Sequence, residues 1–173
     1  MTTHNRLREL MVRVAHLERR AALVDGLQGR DISGRDLSGM NFSNANLEGV
    51  NFKGADLSRS RFEGADLKWA SLWLANLSGV NLKGADLSRA DLTRANLEGA
   101  NLAGANLAAA DLSRAYLEGA NLEGANLEDA SLQGANLEGA NLEGANLRYA
   151  SYDAQTILPP TLTTLQMNNL VLV

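Results

Sequence analysis

A large aliphatic or aromatic residue returns at every fifth position of this chain, running Leu27, Ile32, Leu37, Phe42, Leu47, Phe52, Leu57, Phe62 and Leu67. From there it is leucine at each step to Leu147, and the series closes at Tyr152. That period excludes the ordinary elements. On an α-helix each step of five leaves the side chain about 140° from the last, so the leucines spiral round the surface and make no face. In a flat strand an odd step sends Ile32 and Leu37 to opposite sides. What remains is a short extended piece followed by a corner, repeated until the chain coils on itself as a solenoid.

The rest of the unit agrees with that geometry. Two residues before each large one stands a small residue, usually Ala (Ala45, Ala55, Ala65, Ala70, Ala75 and each step from Ala85 to Ala150). Both face a narrow interior, where a small side chain beside a large one fits and two large ones do not. The Asp, Asn or Ser between them faces out and can bond nearby backbone groups. The second residue after the large one is often Gly, as at Gly49, Gly54, Gly79, Gly99, Gly119, Gly139 and Gly144, which suits a tight corner.

Runs such as Ala85-Asp86-Leu87-Ser88-Arg89, Ala95-Asn96-Leu97-Glu98-Gly99 and Ala135-Asn136-Leu137-Glu138-Gly139 resemble the A-(D/N)-L-x-x unit of the pentapeptide repeat family. The resemblance spans residues 25–154, and it implies an all-β solenoid, a right-handed quadrilateral β-helix with four units to a coil. About six and a half coils at strand spacing then make a rod roughly 30 Å long. Residues twenty apart stack, so Phe42 and Phe62 share a column with Phe52 in the opposite one.

At 173 residues, with 45% hydrophobic and 5% aromatic composition, the chain is one domain's worth, and its poverty in aromatics fits a narrow interior. The absence of Cys removes disulfides and thiolate chemistry and leaves the redox compartment open. Residues 1–24 form an expected N-terminal amphipathic helix or cap: Leu7, Leu10, Met11, Val14, Leu17 and Ala21 make one stripe, and Thr3 or Asn5 offers an N-cap. Sealing the open first coil, binding a membrane surface or partner, and serving as a transit peptide are three readings of it. Glu9 and Glu18 weigh against the last, and Arg13 interrupts any secretory run. No stretch approaches about 20 apolar residues, so no membrane span is expected and the location is read as cytoplasmic.

The first repeats are irregular, with Arg30, Arg35 and Met40 at the Ala position. Asp31 or Asp36 is available to pair with those guanidinium groups, which gives a capping role for this coil. Farther on, Trp69, Trp73 and Leu74 occupy outward positions on adjacent faces of one coil. They pack on the N-terminal helix or on each other, or they contact a partner. Arg89, Arg94 and Arg114 gather near Asp91 and Asp111. Two stacked carboxylates are a poor hard-metal site, and the arginines are expected to neutralise them. From Ala95 to Leu147 acidic residues dominate, with Glu98, Glu118 and Glu138 in one row and Glu123 and Glu143 in another. After Ala150 the pattern stops, and Pro159-Pro160 forbids another ordinary strand. Residues 155–173 are expected to be a C-terminal cap or dimerisation tail, with Leu165, Met167, Leu170 and Leu172 as candidate dimer contacts.

Catalysis is not expected. His4 and His16 stand in the leading segment without a catalytic companion, the glycines follow the solenoid corner and no nucleotide motif, and a filled interior leaves no cleft. No cofactor or metal is expected. Two functions remain: a structural module for protein–protein interaction, and, implied by the resemblance, a DNA-mimicking regulator of a type II topoisomerase of the kind that protects gyrase from quinolones. A role in bacterial cell differentiation is also represented in that family. The formal net charge of −4 is modest, but a negative surface argues against direct nucleic-acid binding, which needs basic patches. A homodimer through the C-terminal end would extend the acidic rows through its dyad.

Overall fold

The computed structural model describes residues 26–173. The helix expected over residues 2–24, with its caps Thr3 and Asn5 and the histidines His4 and His16, lies outside the described residues. From Asp31 onward the chain is a parallel β-helix in which each unit contributes one bridging residue and one tight corner. The bridges run Asp31↔Asn51, Asn51↔Ser71, Ser71↔Asp91 and onward in parallel, so every fourth unit stacks and the coil has four sides.

The unit of five is set by a complete accounting of its backbone donors. In Ala95–Gly99 the Ala95 N–H closes a turn on Leu92 O, and Asn96 N–H donates to Ala75 O in the preceding coil. Leu97 N–H donates to Tyr116 O and Gly99 N–H to Glu118 O in the following coil. The fifth donor, Glu98 N–H, is taken by the Asn96 side chain at 3.0 Å. Where Asn or Asp stands two residues before this N–H its side chain is the acceptor, which explains the run of Asn and Asp between Ala and Leu. The same side chains also bond along the rod, as Asn126 Nδ2 does to Asn106 Oδ1 and Asn146 Nδ2 to Asn126 Oδ1.

Inside, the Ala and Leu ladders are dry: Ala85 to Ala135 and Leu82 to Leu137 are buried. Each buried Leu contributes about 1.5–3 kcal/mol before conformational entropy. Phenylalanines fill the first coils as the stacking rule demands, with Phe42 and Phe62 stacked at 4.7 Å and Phe52 edge-on to both at 6.0 Å. In the first coil Arg30 avoids the interior altogether. It is exposed and donates to Gly26 O, where a carboxylate partner was expected, because a surface carbonyl is within reach at lower desolvation cost.

The stacking outlasts Ala154. After Tyr152 one extra residue is inserted, so Asn136 bridges Ile157, and Asp153, Gln155 and Thr156 form a looser corner tied to Gly134 N–H. The tail then returns over the end. Strand β1 (Ser151–Tyr152) pairs in parallel with β2 (Val171–Leu172). Between them helix α1 (Thr164–Asn169) starts on a Thr163/Gln166 capping box. Leu158, Leu162 and Leu170 pack on the core, and Gln166 Nε2 donates to Leu142 O.

Candidate functional site

With the interior filled by Ala and Leu, chemistry and recognition fall to the two outward residues of each corner. The second of these sits at positive φ throughout, a conformation glycine adopts freely and other L-residues at about 1–2 kcal/mol. Ten non-glycine residues occupy it, and eight of them border a single side of the rod: Trp69, Arg89, Ala109, Asp129 and Tyr149 on one corner, Leu74, Arg94 and Arg114 on the next. The side between those corners carries Ser71, Asp91 and Asp111. On the opposite side, built on Asn81, Asn101, Asn121 and Asn141, the corners from Gly79 to Gly144 are all glycine.

The candidate aromatic residues lie on the bulky side. Trp69 is 56% exposed and Leu74 45%, while Trp73 is half-buried. The tryptophans do not stack on each other. Each takes a cation from a neighbouring coil: Arg89 lies over the Trp69 ring at 4.7 Å and Lys53 Nζ over Trp73 at 4.3 Å. Both pairs are twenty residues apart, so the stacking rule contained them although sequence reasoning passed over them.

The arginines do not neutralise Asp91 and Asp111 as expected. The ion pairs in this part of the rod are those of Lys68 with Asp66 at 3.0 Å and Asp86 at 3.5 Å. Asp91 and Asp111 instead accept the Thr93 and Ser113 N–H groups, because the carboxylate doubles as the corner acceptor. Arg89, Arg94 and Arg114 remain exposed guanidinium groups on two adjacent columns. At Lys68 the bond to Asp66 and then the two carboxylate charges raise the ammonium pKa. Burial pushes Asp86 up, but its bonds to Ser88 and the charge of Lys68 outweigh it and hold the carboxyl below its usual range.

Both acidic rows stand where the stacking rule put them: Gly99 N–H reaches Glu118 O, Gly119 N–H reaches Glu138 O, and Gly124 N–H reaches Glu143 O. Glu98, Glu123, Glu138 and Glu143 are exposed. Glu118 folds back onto Asn136 Nδ2 at 2.6 Å, and its Oε2 is buried without a hydrogen-bond partner. These rows flank the glycine-cornered side. Of the expected dimer contacts, Leu165, Met167 and Leu172 are exposed at 71%, 40% and 65%. Leu170 is different, half-buried against the core with its N–H on Met167 O. Beside α1 the last coil has an uncovered edge, a groove of about 710 Å³ lined by Gly139 to Asn146.

A family model for pentapeptide repeats matches residues 36–73, 70–108 and 110–148. The chain belongs to the pentapeptide repeat family. Its solved relatives are right-handed β-helices, and this chain shares that architecture. One is HetL from the cyanobacterium Nostoc sp. strain PCC 7120, a pentapeptide repeat protein involved in heterocyst differentiation regulation. It is 30% identical over 93% of this chain and 75% of its own, with a TM-score of 0.67. Another is full-length QnrB1, a plasmid-mediated fluoroquinolone resistance protein, which is 19% identical over 88% of each chain with a TM-score of 0.54, a likeness of fold. No curated protein matches the chain.

Proposed function

We propose that this protein is a non-catalytic interaction module, a rigid rod that presents its bulky-cornered side to a protein partner. The observation that carries this reading is the concentration of exposed Trp69, Leu74, Arg89, Arg94 and Arg114 on two adjacent corners of a coil whose other corners are glycine. Trp and Arg are the residues that dominate binding energy at interfaces. HetL's involvement in differentiation control supports a regulatory setting for such a module. In this reading the protein is cytoplasmic, the rod has about six and a half coils, and the N-terminal helix covers its first coil. A second copy joins the C-terminal end through Leu165, Met167 and Leu172, which sedimentation of a Leu165→Glu/Leu172→Glu variant tests.

Capture of partners from native extract by the wild type and by a Trp69→Ser/Trp73→Ser variant tests the reading. Capture is lost in the variant while its melting temperature stays within a few degrees. Equal capture by both proteins overturns it.

A second reading, the DNA-mimicking regulator of a type II topoisomerase, is favoured by one observation: exposed Glu98, Glu123, Glu138 and Glu143 form ordered columns without an ion pair among the described residues. A supercoiling assay decides it. Unchanged gyrase activity and unchanged quinolone inhibition at protein excess remove it.

A further inference from the structure

The two unlike sides of the rod are complementary to each other. One is convex, with Trp69, Leu74, Arg89, Arg94 and Arg114 projecting from left-handed corners. The other is smooth, with corner glycines Gly99, Gly104, Gly119, Gly124, Gly139 and Gly144, and carries exposed carboxylates along both edges. Among the described residues no cation forms an ion pair with either acidic column, and no carboxylate forms one with the three arginines. Both sets repeat at the same rise, one coil, because Arg94 and Arg114 stack as Glu123 and Glu143 do. In the regular repeats that spacing is about 4.8 Å. Charges at equal pitch meet in register when two rods lie side by side.

We propose that the bulky-cornered side docks on the glycine-cornered, acidic side of a second copy of this chain. The contact joins Arg89, Arg94 and Arg114 of one rod to Glu98, Glu123, Glu138 and Glu143 of the next, and seats Trp69 and Leu74 against corners that lack a Cβ. The two surfaces lie on opposite sides of one rod, so the contact is head-to-tail. It does not close, and rods add laterally into rows. This contact rests on the proposed interaction surface, with a second copy of the chain as its occupant. A dimer through the C-terminal tail is a separate contact that stops at two.

Sedimentation across a concentration series, at ionic strengths of about 0.01 M and 1 M, is the test, since the screening length falls from about 30 Å to about 3 Å between them. The wild type grows past a dimer at low salt, and high salt weakens that growth at least about tenfold. Arg94→Glu/Arg114→Glu and Glu123→Arg/Glu143→Arg each abolish growth, and mixing the two variants restores a hetero-pair. Both exchanges leave the corner φ class and the core untouched, so far-UV circular dichroism stays unchanged. Species no larger than a dimer at low salt, growth indifferent to salt, or variants that do not restore each other overturn the proposal. The partner-capture reading survives that failure if capture still depends on Trp69 and Trp73.

Discussion

The side bordered by Trp69, Leu74, Arg89, Arg94 and Arg114 and the side bordered by Gly99, Gly104, Gly119 and Gly124 rest on the same Ala–Leu ladder. Leu92 under the first and Leu102 under the second are both 0% exposed. They differ in the bridging residue, Ser or Asp on the first and Asn on the second, and in the residues after each Leu. The difference teaches that in this fold the core carries almost no individuality. What distinguishes one side from another is written at the outward positions of each unit, one of which strains every residue except glycine. Left-handed non-glycine corners recur along one side, and from Gly79 to Gly144 they are absent from the other. The same asymmetry reaches the C-terminal end. Beneath the bulky side the last coil is closed by β2 and the Asp153–Thr156 corner, while Gly139, Leu142 and Gly144 N–H beneath the glycine side find no acceptor among the described residues.

The largest expected effect tests whether the two sides share one core. Leu92→Ala and Leu102→Ala should each cost about 2–5 kcal/mol, and by similar amounts, in denaturant unfolding. A several-fold difference would mean that the sides are packed unequally after all. Next comes the corner itself. Gly104→Ala meets no atom within 4 Å, so its expected loss of about 1–2 kcal/mol is a backbone effect alone. The reverse exchange, Ala109→Gly, should not destabilise. Gly64→Ala should lose more, because a Cβ there comes within 2.7 Å of Asn44 Oδ1. Thermal melts of the three variants rank them.

Smaller is the side-chain ladder. Asn121→Ala removes the acceptor of Glu123 N–H and of Asn141 Nδ2, at about 1 kcal/mol for the net bond loss. The smallest effect is the pH response of the closed end. Bonding from Gly134 N–H first, and then from Thr156 and Gln155, holds the Asp153 carboxyl below its ordinary 3.8 despite some burial. Its folded pKa lies below the unfolded value, so its contribution is complete above about pH 4 and drains away as pH falls through the folded pKa. Melting temperatures measured downward from pH 5 should fall more steeply for the wild type than for Asp153→Asn, and parallel curves would show that this corner does not hold the end closed.

Much of the molecule was legible before any coordinates. A period of five allows neither helix nor strand face, so the coil and the inward Ala and Leu follow from spacing alone, while four units to a coil, and with it the Phe42–Phe62 column and the acidic rows, followed from the resemblance to the family. Stacking at twenty residues also contained the Arg89–Trp69 and Lys53–Trp73 pairs, once the column was known. Tertiary structure alone decided the rest. That Arg30 bonds a carbonyl, and that Asp91 and Asp111 bond corner N–H groups and leave Arg94 and Arg114 unpaired, depends on which acceptor lies nearest in space, and a column does not specify that. In the tail, Leu170 turns inward and Leu165 and Leu172 outward because α1 and β2 must reach over an end whose register has slipped by one residue at Ile157. A repeat dictates its own continuation through identical neighbours. Where the repeat ends there is no neighbour to copy, and only packing chooses.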